Sequence, residues 1–189
     1  VLAALCTRQD LAGVTSFVRG LGLRARCYGC LLDFFHSPAL CADTLARVWS
    51  RLLLKIHPGV VRCHGRLVVL ADGLKKAKCG RKMPAGKLLH QSGESNTKPA
   101  YIMGHSCQAL AFLAKAGRTH HAVPLCARIH EGLVFSNRDR RTLLDKLLLL
   151  LAALQLPEPV LLIADAYYTS GKIIRGLFAQ GGQLISRLR

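Results

Sequence analysis

The stretch Pro159-Val-Leu-Leu-Ile-Ala-Asp165-Ala-Tyr-Tyr-Thr-Ser-Gly-Lys-Ile-Ile-Arg-Gly-Leu-Phe178 decides the fold. Its apolar run shows no alternation, which predicts a strand buried on both faces, and the residues from about Gly171 predict a helix. Ligands of open α/β sheets bind outside the carboxyl ends of the strands. Asp165, which directly follows the predicted strand, therefore occupies a position typical of a functional residue.

A second stretch, Arg66-Leu-Val-Val-Leu-Ala-Asp72-Gly, has the same form. It predicts a strand from about Arg66 to Leu70, after which Asp72 takes the place that Asp165 has in the first stretch. A buried carboxylate costs several kcal/mol, about as much as a small domain has to spare, unless a partner compensates it. We therefore expect cations or a metal ion beside both acids.

The other elements follow from periodicity and from capping or turn residues. Residues 1–60 predict an N-terminal helical region, with one helix through Leu2 to Leu21 and another from Ser37-Pro38 to Ile56. The remaining predictions are a loop at 80–100, strands at about His105 to Ala114 and Ala122 to Ile129, a helix capped by Ser136-Asn137 that includes Leu143 to Leu154, and a last strand from Gln183 to Leu188. This order predicts an α/β (α+β) domain at 61–189, with a mixed sheet and crossover helices.

Charge is the most extreme property of the composition. The chain has 27 Lys and Arg against 10 Asp and Glu, a formal net charge of +17. Such an excess predicts a polyanionic partner, and DNA is the first candidate because Lys and Arg contacts to phosphates dominate its binding. The most membrane-like segment is Leu143 to Ala164, and its longest uninterrupted apolar run, Leu147 to Leu154, is far shorter than the roughly 20 residues that span a bilayer. A membrane is therefore not expected as a partner.

The eight cysteines predict reduced thiols in a cytoplasmic protein. Cys27 and Cys30 have the spacing of metal ligands or of a redox pair. Together with Cys63 and His64 they could form a zinc site. This zinc module is the less favoured interpretation.

Two acids at strand ends in a basic chain suggest carboxylates that hold a divalent metal ion against a phosphodiester. The pattern alone is not specific, because an aspartate after a strand can also cap a helix or pair with an arginine. Six cations follow Asp72 closely and are expected to contact phosphates: Lys75, Lys76, Lys78, Arg81, Lys82 and Lys87.

A set of short passages resembles the DDE-type transposases of bacterial insertion sequences. They are Leu70-Ala-Asp72-Gly, Lys78-Cys-Gly-Arg-Lys-Met-Pro84, Ser95-Asn-Thr-Lys-Pro99, Gly104-His-Ser106, Ala127-Arg-Ile-His-Glu-Gly-Leu-Val-Phe-Ser-Asn-Arg-Asp139 and Ile163-Ala-Asp165-Ala-Tyr-Tyr168. The resemblance covers roughly residues 60–189.

The resemblance implies an RNase H-like fold with two Mg²⁺ or Mn²⁺ ions. It also implies cleavage of DNA at transposon ends, transfer of the 3′ hydroxyl to target DNA, a homo-oligomer on DNA, and a cytoplasmic, nucleoid-associated protein. Asp72 and Asp165 match the first two catalytic aspartates of the family and would bind the metal. Lys98 and Arg128 join the six cations as DNA contacts, and His105, His130 and Asn137 are weaker candidates. Tyr168 and Tyr167 are expected to pack under the following helix rather than to stack on a base.

The third acid of the family, a glutamate on a later helix, has no counterpart. We therefore expect the N-terminal part of a transposase that binds DNA without cutting it, and whether the chain is an enzyme stays open. One alternative is a non-catalytic DNA-binding regulatory fragment. The other is an RNase H-like nuclease with Glu131 as its third ligand.

Overall fold

A computed structural model describes residues 13–78, 85–91, 99–130 and 141–187. The chain divides into two units, Val1–Leu45 and Ala46–Arg189. The first unit contains helices α1 (Val14–Gly20) and α2 (Cys27–His36). The ring centroids of Phe17 on α1 and Phe35 on α2 are 5.9 Å apart. The division falls inside the third helix, α3 (Ala42–Ile56).

The helices of the N-terminal region differ in part from those predicted. The predicted helix from Leu2 lies partly outside the described residues, and α1 ends at Gly20, one residue before the predicted end at Leu21. Helix α2 was not predicted. Ser37 and Pro38 do not begin α3, because Ser37 instead follows α2 and its hydroxyl accepts a hydrogen bond from the Ala39 N–H. Helix α3 begins at Ala42.

The second unit contains a mixed sheet. Its strands are β1 (Arg62–Cys63), β2 (Arg66–Ala77), β3 (Lys87–His90), β4 (Tyr101–Ala116), β5 (Thr119–Ile129), β6 (Val160–Ala164) and β7 (Gln183–Ile185). β4 pairs antiparallel with β5 and with β2, whereas β2 pairs parallel with β6 and β6 parallel with β7. The order β5-β4-β2-β6-β7 is compatible with an RNase H-like fold.

The predicted strand before Asp72 is longer than expected. β2 does not end at Leu70 but continues to Ala77, and its last residues are exposed. Pairing with β4 extends as far as Ala77 opposite Gly104, so the backbone ladder continues beyond the buried part. The predicted loop at 80–100 also contains a strand, β3, which pairs with the start of β4.

Helices α4 (Leu143–Leu154) and α5 (Gly171–Phe178) follow the sheet strands as predicted, although the cap of α4 differs. Its N-cap is Thr142, whose hydroxyl accepts from the Asp145 N–H at 3.3 Å while the Asp145 carboxylate accepts from the Thr142 N–H at 2.7 Å. The predicted caps, Ser136 and Asn137, lie outside the described residues.

One face of the sheet, which we call the helix face, carries the core. Alternate β4 residues such as Leu110 and Phe112 are buried there with Leu147 and Leu154 of α4 and Leu162 of β6. The side chains between them on β4 point to the opposite face, which we call the aspartate face, and are half-buried. Within the described ranges no helix is long and apolar enough to cross a membrane.

Candidate functional site

The pairing of β2 with β6 places Asp72 beside Asp165. Ala71 lies opposite Ala164 in the last pair of this parallel ladder, and the two aspartates are the next residues of their chains. Neighbouring strands lie about 4.8 Å apart, and residues in register on parallel strands point to the same face. The ladder thus leaves the two predicted acids on neighbouring segments, each one residue beyond its last pair.

Asp165 is held in place by its neighbours. It is the N-cap of the 3-10 helix Ala166–Tyr168, and its Oδ1 accepts from the Tyr167 N–H at 3.1 Å. Its backbone oxygen accepts from the Ser186 hydroxyl, just after β7, at 2.7 Å. The capping role that the sequence left open is therefore present, and it uses one carboxylate oxygen.

Asp72 and Asp165 are both exposed, although the residues before them on their strands are buried or half-buried. Asp72 Oδ1 accepts from the adjacent Gly73 N–H at 2.7 Å. The expectation that burial forces a compensating cation on each acid is wrong, because the apolar part of each strand ends before its aspartate.

Tyr168 lies beneath this pair in the core, where it is 3% exposed. Burial raises the pKa of the Tyr168 hydroxyl to about 12, and the negative charges of Asp165 and Asp72 add to the effect. The hydroxyl is hydrogen-bonded to Gln108. The predicted packing of Tyr168 is confirmed, whereas Tyr167 is 47% exposed.

The two carboxylates are a donor set that fits Mg²⁺, which proteins bind through one or two carboxylates together with waters and substrate phosphates. Among the described residues no group of three or more His, Cys, Asp or Glu side chains could hold a metal ion, and this includes the cysteines and His64 of the zinc alternative. Glu131 lies outside the described residues.

The basic segment after Asp72 is divided between the two faces of the sheet. Lys76 is paired with His105 and lies an even number of residues after Asp72 on β2. The side chains of all three therefore point to the aspartate face. Lys75 points to the helix face, and its Nζ donates to the His90 carbonyl at 2.6 Å. Lys78 follows β2 directly. Arg81, Lys82, Lys98 and Asn137 lie outside the described residues.

A group of basic residues lines a cavity of about 340 Å³ between the end of β5 and the start of α4. Arg128 and the buried His130 contribute from the β5 side, and Arg141 and Lys146 from the helix side. Burial lowers the pKa of Lys87, and the nearby charge of Lys146 lowers it further. One of the predicted DNA contacts, Arg128, therefore lines this cavity rather than the surroundings of Asp72.

Gln108, Arg141 and Lys146 were not predicted from the sequence as site residues. Gln108 had a detectable signal, since it is a polar residue within the apolar run of β4; it is 3% exposed, and its Nε2 donates to the Leu143 carbonyl at 2.7 Å. Arg141 and Lys146 had no such signal in the sequence, because cations near the start of a helix usually face solvent.

No protein-family model matches the chain, and no curated protein does. Two solved structures are weakly similar to it. A Mos1 transposase paired-end complex with the left transposon end has a TM-score of 0.28 and 12% identity, over 97% of this chain and 56% of that one. A pre-cleavage Mos1 transpososome has a TM-score of 0.28 and 11% identity, over 99% and 58%. The chain thus spans a little over half of each, and a likeness this weak carries no functional argument.

Proposed function

We propose that this chain binds DNA and supplies two carboxylates of a metal-dependent phosphodiester-transfer site of the DDE transposase type. One observation carries the proposal: Asp72 and Asp165 follow the paired residues Ala71 and Ala164 on adjacent parallel strands. These are the two acids that the sequence motifs match to the catalytic aspartates of the family.

The sheet supports the same proposal. Three antiparallel strands, β5, β4 and β2, are followed by the parallel strands β6 and β7. This is the order of an RNase H-like sheet, in which the first strand lies at the centre beside the fourth. Asp72 would then be on the central strand and Asp165 at the end of its parallel neighbour.

Asp72 and Asp165 would hold Mg²⁺ or Mn²⁺ through carboxylate oxygens, and phosphate and water oxygens would complete the coordination. The bound ions would activate the attacking oxygen and stabilise the leaving oxygen of a phosphodiester. The protein fixes the position of Asp165 through hydrogen bonds from the Tyr167 N–H and the Ser186 hydroxyl. It also places the buried Tyr168 hydroxyl, which stays protonated at neutral pH, near the two acids.

DNA is the proposed partner because the chain has a formal charge of +17. Lys76 shares the aspartate face with Asp72 and could contact a phosphate near the acids. Phosphate contacts position a protein on DNA without selecting a sequence, so these cations explain affinity rather than specificity.

Two assays on the 189-residue chain test the proposal. Fluorescence anisotropy with a labelled duplex should show binding that weakens steeply with salt, and a supercoiled plasmid should remain uncut with Mg²⁺ or Mn²⁺. Absence of DNA binding at low salt would refute the proposal.

Plasmid cutting that Asp72→Asn and Asp165→Asn abolish, and the control Asp33→Asn retains, would instead establish the chain as an active enzyme. Loss of that cutting in Glu131→Gln would identify the nuclease alternative.

A further inference from the structure

The cavity between the end of β5 and the start of α4 lies on the helix face of the sheet. Gln108 and Arg128, which are paired across β4 and β5, line it from the sheet, and Arg141, Lys146 and Leu150 line it from the helix side. The cavity is about 340 Å³ in volume. Asp72, by contrast, points to the aspartate face.

The described lining of the cavity is cationic. Arg128, Arg141 and Lys146 contribute permanent positive charges, and the described lining residues include no carboxylate. Each of these three residues also takes part in another interaction. What matters for a ligand is therefore the positive sign of the described lining. A concave surface with one sign of charge concentrates ions of the opposite sign.

Lys87 on β3 is a further cation near Lys146. It is half-buried, and burial and then the charge of Lys146 lower the pKa of its ammonium group.

The buried polar side chain of Gln108 also lines the cavity. The amide of Gln108 is buried, and its Nε2 donates to the carbonyl of Leu143, the first residue of α4. The same side chain is hydrogen-bonded to Tyr168, which lies beneath Asp72 and Asp165. One buried side chain thus connects the cavity with the residue that supports the acid pair.

We propose that this cavity binds a phosphate group of the DNA backbone, held by Arg128, Arg141 and Lys146. The proposal rests on the proposed DNA-binding function and deepens it, since it adds a phosphate contact on the helix face of the sheet. Arginine suits such a contact because its planar guanidinium can bind two phosphate oxygens at once.

The test compares two variants that each remove two positive charges. Arg128→Gln/Lys146→Gln alters the cavity, and Lys115→Gln/Arg118→Gln alters the exposed β4–β5 turn. Duplex affinity is measured at several salt concentrations, and circular dichroism checks that each variant is folded. The cavity variant should bind about tenfold more weakly or worse, and its slope of log affinity against log salt should decrease by up to about 2. The turn variant should keep the parent slope.

A second measurement on the unaltered chain does not depend on DNA or on the folding of a variant. Inorganic phosphate is titrated into the isotopically labelled protein, and amide shifts are followed for Arg128, Arg141 and Lys146. Saturable shifts at these residues without any DNA binding would support the anion site and refute the DNA function. Duplex binding by the parent, with no phosphate shifts and with equal slopes for both variants, would refute the cavity and leave the DNA function standing.

Discussion

Asp165 follows Ala164 on β6 as Asp72 follows Ala71 on β2, and the two alanines are paired across the parallel ladder. The two acids therefore follow adjacent strands at the same level of the sheet. Both are exposed, so an ion could reach them from solvent.

Removing either carboxylate should weaken binding of a divalent ion. For Asp72→Asn or Asp165→Asn we expect Mn²⁺ affinity to decrease by at least about tenfold. Loss of a residue that only hydrogen-bonds to a metal ligand already costs about that much, and loss of a ligand should cost no less. Electron paramagnetic resonance of free Mn²⁺ measures this affinity. Asp33→Asn, which removes an exposed acid of α2, is the control and should bind like the parent. Equal affinity in all four proteins would contradict a metal role for the pair.

Tyr168 should make stability depend on pH in the alkaline range. Burial, Asp165 and Asp72 raise its pKa from 10 to about 12 in the folded chain. The unfolded chain loses this proton first, so the contribution is fully present below pH 10 and is lost as the pH rises from 10 to 12. It amounts to at most about 2 kcal/mol after allowance for partial solvation.

The variant Tyr168→Phe isolates this effect from the titration of lysines. Urea unfolding at several pH values should show that the stability difference between parent and variant shrinks between pH 10 and 12. Tyr101→Phe, at an exposed tyrosine, should follow the parent. A difference for Tyr168→Phe that stays constant over this range would show that the hydroxyl does not retain its proton.

The sequence predicted the buried parts of the fold better than the exposed parts. The strand before Asp165 was placed correctly because burial on both faces leaves an unbroken apolar run. The end of β2 was placed too early. Lys75 and Lys76 are exposed and are held by backbone pairing with β4, so this part of the strand has no hydrophobic pattern in its sequence.

The candidate site shows the same limit. Motifs identified Asp72 and Asp165, but their relationship depends on the register of β2 against β6, which local sequence does not encode. The cavity is harder still to predict, because it combines residues from β4, β5 and α4 that are far apart in the chain. By contrast, the Thr142 cap had a readable signal in Thr142-Leu-Leu-Asp145 before an apolar run.

The start of α4 should be sensitive to acid. The Lys172 ammonium, 2.8 Å from Asp145 Oδ1, and hydrogen bonds from Thr142 lower the pKa of Asp145 to about 2. The stabilisation from this carboxylate is present above the ordinary value of 3.8 and is lost as the pH falls toward 2. Asp145→Asn should cost about 1 kcal/mol near neutral pH, as the loss of a helix cap does.

Thermal unfolding at pH 7 and in steps from pH 5 to 2 measures both effects. The stability difference between parent and Asp145→Asn should shrink across the acid range. Lys172→Gln should remove the exposed ion pair at little cost, whereas Thr142→Ala should cost nearly as much as Asp145→Asn, because the cap stabilises more than a surface pair does. A larger cost for Lys172→Gln than for Thr142→Ala would reverse this ranking.

Gly104 should be intolerant of any side chain. It lies opposite both Ala77 of β2 and Lys87 of β3, and a Cβ there would lie 2.1 Å from the Lys76 carbonyl oxygen. Backbone cannot rotate away as a side chain can, so the pairing of β2 with β4 must shift. We expect Gly104→Ala to destabilise the second unit by at least about 2 kcal/mol, as other overpacked sites do. Gly171→Ala is the control, because its Cβ comes no closer than 3.8 Å to Arg175 Nη2. Urea midpoints compare the two, and equal midpoints would contradict the close approach of β2 and β4 at Gly104.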